Sequence, residues 1–221
     1  MSGQIVLRAI AAGLMIGLMA LILWRWQING WGSIVWLASA IFMMVIRAPY
    51  AARNKENVIS EQFAINTERV LLFLVTVGGT LLPVVHFSTG LLGIANFNAP
   101  HWLAAIGILL LIPGLWLFWR SHADLGRNWS VTTELREEHT LVSRGVYNRV
   151  RHPMYSAIWL IFLSYPFLIH NWIVGSAAIV AFAIMYVVRV PIEEAMMRKE
   201  FGDAYQVYAA RTGRIWPRLW N

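Results

Sequence analysis

Six stretches of this chain, at roughly 5–24, 31–46, 70–87, 102–119, 154–169 and 172–190, are almost free of charge and dominated by Leu, Ile, Val, Ala, Met and Trp. That pattern constrains the fold more than any other feature. A spanning helix needs about 20 consecutive apolar residues, with a range of about 17–25. The shorter stretches can cross a bilayer by tilting less or by thinning it locally. Only 13% of the 221 residues are charged, against about 25% in soluble domains. Twelve Trp and seven Tyr suit the headgroup belts of a bilayer. The first stretch is not read as a cleaved signal: no small-residue cleavage pattern follows it, and Trp24-Arg25-Trp26 forms an interface anchor. The expected fold is all-α, a polytopic membrane helix bundle of about six spans.

The net charge of +7 invites a nucleic-acid reading, but the distribution of Lys and Arg explains it by topology. The loop between the second and third stretches carries Arg47, Arg53, Lys55 and Arg69. The loop between the fourth and fifth carries Arg120, Arg127, Arg136, Arg144, Arg149 and Arg151, and the tail carries Arg198, Lys199, Arg211, Arg214 and Arg218. All fall on one face. The other face holds Arg25, and the turn His170-Asn171 has no Lys or Arg. By the positive-inside rule both termini are cytoplasmic, in a multi-pass protein of a bacterial inner membrane type. No nucleic-acid partner is expected. The absence of cysteine excludes disulfides and thiolate chemistry.

Polar chemistry concentrates after Arg120. We therefore read 1–221 as one integral-membrane domain, with N-terminal transmembrane helices over 1–119 and a chemical core over 120–221. Pro83, Pro113 and Pro166 lie inside spans, where proline kinks a helix, and Pro191 marks the passage from the last span to the tail. The loop 121–153, SHADLGRNWSVTTELREEHTLVSRGVYNRVRHP, is too polar for lipid. Gly126 and Gly145 give it freedom to turn, while Trp129, Val131, Leu141 and Val142 can pack it on the helix ends. His152 precedes Pro153, which suits the first turn of the fifth helix. Arg151 and His152 thus sit at a positive helix end, a locally unfavourable place that an anion would improve. In the tail, Glu193, Met197, Phe201, Tyr205 and Tyr208 fall on one helical stripe beside Met196 and Ala204. Adjacent helical positions point about 100° apart, so Glu193 and Glu194 need not share a task.

Three segments in order, LGRNWS, HTLVSRGVYNRVRHPMY and PIEEAMMRKEFGDAYQVYAARTGRIWP, resemble the isoprenylcysteine carboxyl methyltransferase and phospholipid methyltransferase superfamily. The resemblance covers roughly residues 125–217. Where many members have glycine two residues after the tyrosine of the RHPxY element, this chain has Ala157. The resemblance implies a membrane-embedded methyltransferase using S-adenosylmethionine, with the cytoplasmic-face loop and the C-terminal amphipathic helix forming the cofactor pocket. It assigns catalysis to Arg151, His152 and Glu194. Cofactor binding would fall to Leu141, Val142, Gly145, Tyr147, His152, Pro153, Tyr155, Glu193 and Glu194. Trp129, Tyr205, Arg211 and Arg214 would meet a lipid-like or small hydrophobic methyl acceptor among membrane lipids.

Plainer readings stand beside these. Arg149 and Arg151 can be topology anchors, Glu194 an i,i+4 partner of Arg198, Tyr205 and Tyr208 packing residues, and Arg211 and Arg214 headgroup contacts. Within the full motif set we favour a functional role for Arg151 and not for Arg149. No metal is expected, since His122, His139 and His152 lack ligand spacing. Two other functions compete: an NADPH-dependent sterol-type reductase, some of which carry an RHPNY-like element, and a non-catalytic membrane subunit.

Overall fold

The computed structural model describes residues 2–54, 59–62, 65–100, 102–132, 134–136 and 140–218; Lys55 and His139 lie outside them. The apolar stretches become α1 (Ser2–Trp24), α3 (Trp31–Asn54), the pair α4 (Ile65–Thr76) and α5 (Leu82–Thr89), α6 (Leu103–Leu125), α7 (Pro153–Ile169) and α8 (Trp172–Arg211), with a single short turn of helix, α2 (Trp26–Asn29), after α1. Among the described residues, four helical runs are long and apolar enough to cross a membrane, Trp31–Arg53, Ile65–Thr89, Leu103–Asn128 and Trp172–Arg211. Two shorter apolar helices, Gly13–Trp24 and Pro153–Ile169, accompany them. Outside the helices, β1 (Ile59–Gln62) and β2 (Glu134–Arg136) pair antiparallel and join the two polar loops.

Large apolar side chains cover the surface: Trp24 is 79% exposed, Leu109 71% and Val187 68%. In water this would be an aggregating surface; against lipid tails it costs nothing. Helix association in lipid then rests on close packing and interhelical hydrogen bonds, because tails are as apolar as the helices themselves. The structure fits that expectation. α7 lies at the centre, with Ala157, Ile161 and Leu168 fully buried, packed against α6 and α8. Trp36 of α3 packs its ring against Phe87 and Tyr165. Gly78, in a π-helical turn at Val77–Leu81 between α4 and α5, brings the backbone so near α8 that a Cβ would sit 2.8 Å from the Ala177 carbonyl oxygen.

Two sequence expectations change. Pro191 does not separate a tail helix from the last span: α8 runs through it, and the non-helical residue is Gly202 (φ 51°, ψ −126°). An X-Pro step can continue a helix where neighbouring groups take up the freed carbonyl. The break at Gly202 also shifts the helical phase. The buried tail residues are Glu194, Met196, Tyr205 and Tyr208, while Ala204 is exposed. The loop after the fourth stretch, in turn, begins later than expected, because α6 continues to Leu125.

The hairpin between α7 and α8 is closed by Asn171. Its side-chain oxygen accepts a hydrogen bond from the Val174 amide at 2.9 Å, capping α8. Its amide nitrogen donates to the Leu92 carbonyl and to Asn96 Oδ1. This fixes the end of the bundle opposite the motif cluster and leaves the other end to hold the site.

Candidate active site

The RHPxY element becomes a short extended segment that ends on α7, with Pro153 in its first turn. The chain after α8 returns alongside it. Val150 and Gly213 form a parallel bridge, in which the Arg151 amide donates to Gly213 O (2.8 Å), the His152 amide to Arg214 O (2.9 Å) and the Gly213 amide to Arg149 O (3.1 Å). Arg151 completes this lock. Its Nη1 donates to the carbonyls of Ala209 (2.9 Å) and Thr212, and its Nε and Nη2 both reach Glu194 Oε1 at 3.3 Å. Carbonyls at a helix C-terminus lack intrahelical partners, so this guanidinium serves as the cap of α8. The basic charge at the mouth of α7 is answered by a carboxylate and carbonyls of the protein itself.

Glu193 and Glu194 then divide two sets of partners, as their angular offset requires. Glu194 is buried and takes a bidentate pair from Arg214, Nε to Oε1 at 3.0 Å and Nη2 to Oε2 at 2.8 Å. Glu193 accepts from Tyr155 Oη at 2.8 Å and from Arg189 Nε at 2.7 Å; Arg189 Nε also lies 3.3 Å from Glu68 Oε1. His152 stands between the glutamates, its Nδ1 3.5 Å from Glu193 Oε2 and its Nε2 3.4 Å from Glu194 Oε1. The Nε2 contact lacks hydrogen-bond alignment, so it is electrostatic. Burial is the largest single influence on this ring and disfavours its charged form. The two carboxylates together outweigh it and hold the His152 pKa above its ordinary value.

The loop is tied down from α6. Asp124 Oδ2 accepts from the Val146 amide at 2.9 Å. Gly145 has φ +60°, and a Cβ there would fall 2.0 Å from that same oxygen; only glycine permits both. Tyr147, buried, offers its carbonyl to Tyr208 Oη at 2.7 Å, which joins the loop to the second segment of α8. Burial pushes the Tyr147 phenol well above its usual pKa, so it stays neutral.

These contacts frame a half-open cavity of about 290 Å³, near the lower end of the roughly 300–1,000 Å³ typical of ligand pockets. One end is polar, with Tyr147, Arg151, His152, Tyr155, Arg189 and Glu193 on its wall. The other is apolar, walled by Met43, Leu72, Val75, Phe162, Phe182 and Met185 of the membrane helices. Of the residues singled out from the sequence, Trp129, Leu141, Val142, Tyr147, Arg151, His152, Tyr155, Glu193 and Tyr205 line it. Gly145, Pro153, Glu194, Arg211 and Arg214 stand behind the wall or outside it. Ala157, the departure from the motif, is fully buried in helix packing and off the cavity wall.

Sequence reasoning passed over Arg189, Glu68, Asp124 and Arg47. Arg189 had a readable signal, being the one Lys or Arg inside the stretch 172–190; an ionisable residue in a span marks a site by default. Glu68, more than a hundred positions away in the chain, had none.

Residues 102–204 match the family model of phospholipid methyltransferase. Protein-S-isoprenylcysteine O-methyltransferase B of Arabidopsis thaliana is 27% identical over 133 residues, 59% of this chain and 68% of that protein. Cobalt-zinc-cadmium resistance protein CzcN of Cupriavidus metallidurans is 32% identical over 100 residues, 45% of this chain and 46% of that protein. The chain thus spans about two thirds of the plant relative and under half of the bacterial one. A solved structure of a eukaryotic intramembrane Ras methyltransferase, an isoprenylcysteine carboxyl methyltransferase, superposes with a TM-score of 0.55 at 21% identity, over 88% of this chain and 68% of that one, and so shares the fold. The motif order and the match over residues 102–204 make this chain similar to the isoprenylcysteine carboxyl methyltransferase and phospholipid methyltransferase superfamily, and the solved structure shares its fold.

Proposed function

We propose that the protein transfers a methyl group from S-adenosylmethionine to a lipid-like or small hydrophobic acceptor at the membrane. The observation that carries this reading is the two-ended cavity, polar where the RHPxY element meets Glu193 and apolar where α3, α4, α7 and α8 face it. The donor set suits the cofactor: a carboxylate for an ammonium or ribose hydroxyls, and neutral tyrosines for an adenine or a cation. Leu141, Val142, Tyr147, His152, Tyr155 and Glu193 would hold it. When bound, it supplies an electrophilic methyl on a positively charged sulfur.

The chain's own part is alignment and exclusion of water, which suffice for much of an in-line displacement. Tyr155 and Arg189 hold Glu193 in one orientation through its Oε1. Arg151 on the wall, and Arg214 and Glu194 behind it, act as positioning residues, closing the chain end over the site. Gly145 and Asp124 set the loop that carries Tyr147. A carboxylate acceptor is already ionised and needs no base; an amine or thiol acceptor would give a proton to His152, which is the base candidate on the wall. The catalytic core over 120–221 works against the N-terminal helices 1–119, which supply part of the apolar wall through Met43, Leu72 and Val75. In this reading the site and both termini face the cytoplasm, as the Lys and Arg asymmetry requires.

Titration calorimetry of the detergent-solubilised protein with S-adenosylhomocysteine and with NADPH tests the proposal. Binding of the first and not the second is expected; the reverse would transfer the function to a reductase. Reporter fusions at Asn171 and at the C-terminus should read opposite sides of the membrane.

A further inference from the structure

Every charged group on the cavity wall but one has a counter-charge of the protein. Arg151 has Glu194, Arg189 has Glu193 and Glu68, and His152 has both glutamates of the pair. Arg47 of α3 is the exception among the described residues. It lines the cavity and is largely buried, with its guanidinium 5.4 Å from the ring centroid of Trp129. Its Nε is sealed from solvent and donates to nothing. The charge nearest in effect is the cation of Arg189, which repels it. A largely buried guanidinium with an unused Nε donor and no counter-charge among the described residues is costly unless something supplies an anion. A guanidinium fork set beside an indole face keeps its planar donors for a carboxylate.

Resting on the methyltransferase reading, we propose that Arg47 is the anion seat of the cavity and takes a carboxylate of a bound ligand. That group can be the amino-acid carboxylate of the cofactor or the carboxylate of an acidic methyl acceptor. In either case the seat comes from α3, outside the segment 102–204 that matches the family model. The N-terminal helices then contribute charge recognition to the site as well as an apolar wall. Trp129 acts as the platform that holds the guanidinium in place.

The test uses full-length protein in detergent and four probes: S-adenosylhomocysteine, its decarboxylated analogue, a prenylated N-acetylcysteine and the methyl ester of that compound. Affinities are measured for wild type, Arg47→Gln and Arg47→Lys, with monodispersity checked first. Loss of a buried charge partner predicts that Arg47→Gln weakens one carboxylate-bearing probe by about tenfold or more. Its counterpart without the carboxylate should change less than about twofold, and Arg47→Lys should recover part of the loss. An effect confined to the adenosyl pair places the cofactor carboxylate on Arg47; one confined to the prenyl pair places the acceptor there. If Arg47→Gln does not fold, Arg47→Lys together with the wild-type preference between paired probes decides. Unchanged affinities for all four probes in the folded variants overturn the seat while leaving the methyltransferase reading intact. Failure of wild type to bind S-adenosylhomocysteine overturns both.

Discussion

Replacing Arg151 by Ala should open the end of α8 before it disturbs anything else. The side chain makes four polar contacts of 3.3 Å or less, two to Glu194 Oε1 and one each to the carbonyls of Ala209 and Thr212. Hydrogen bonds from a charged donor contribute roughly 1.5–3 kcal/mol each and do not add. Glu194 keeps Arg214 after the substitution, so the net loss falls mainly on the two carbonyls. We take about 3 kcal/mol, which raises local opening on the order of 100-fold at about 1.4 kcal/mol per factor of ten. Hydrogen exchange read by mass spectrometry should show faster exchange in peptides spanning 205–218, with α7 unchanged. Methyl transfer should fall at least about tenfold, since Arg214 and the loop carbonyls lose their register. Arg149→Ala is the control. Its side chain is exposed and only its carbonyl serves the bridge, so both readouts should stay near wild type. Equal, mild effects of the two substitutions would refute the lock and return Arg151 to a topology anchor. Lost turnover with unchanged exchange would put its guanidinium on the ligand instead.

Other consequences can be checked with the same preparation. Because its folded pKa is raised, protonated His152 stabilises the fold fully below the ordinary histidine value of about 6.5, and that contribution is lost as pH rises through the raised value; His152→Gln should flatten this part of a thermal-stability profile, and a titration below 6.5 would contradict the placement between two carboxylates. Gly145→Ala forces a Cβ onto Asp124 and strains a positive φ, so S-adenosylhomocysteine affinity should drop by about tenfold for roughly 1–2 kcal/mol of strain, and an unaltered calorimetric titration would show that the loop does not carry the pocket. Tyr155→Phe removes one hydrogen bond to Glu193, worth about 1 kcal/mol, and should lower activity by less than Glu193→Gln does in parallel kinetics.

Several parts of the site were legible in linear order. Pro153 after His152 announced a helix start, and α7 begins there. The EE pair announced acids near the basic cluster, and both carboxylates lie within 3.5 Å of a ring nitrogen of His152. Other parts were misread for physical reasons. Pro191 does not end α8, which continues through it; proline within a membrane helix is accommodated by local adjustment of the backbone. Gly202, unremarkable in the sequence, carries the break. Arg211 and Arg214 looked alike as tail arginines, yet Arg214 grips Glu194 while Arg211 lies over the Tyr208 ring. Nothing local distinguishes them; the return of 211–216 along 149–152 does.

What the sequence alone determined is set by terms that act residue by residue. Apolar length decided membrane residence, Lys and Arg placement set the expected orientation, and motif order pointed to methyl transfer. Transfer free energy and charge are sums over the chain, so they can be read without coordinates. Which charge meets which carboxylate is different in kind. Glu68 reaches Arg189, Arg47 stands over Trp129 with no counter-charge among the described residues, and Arg151 caps α8 because helices distant in sequence pack side by side. Pair interactions fall away within a few ångströms, and only the tertiary structure brings residues from α3, α4, α7 and α8 within that range.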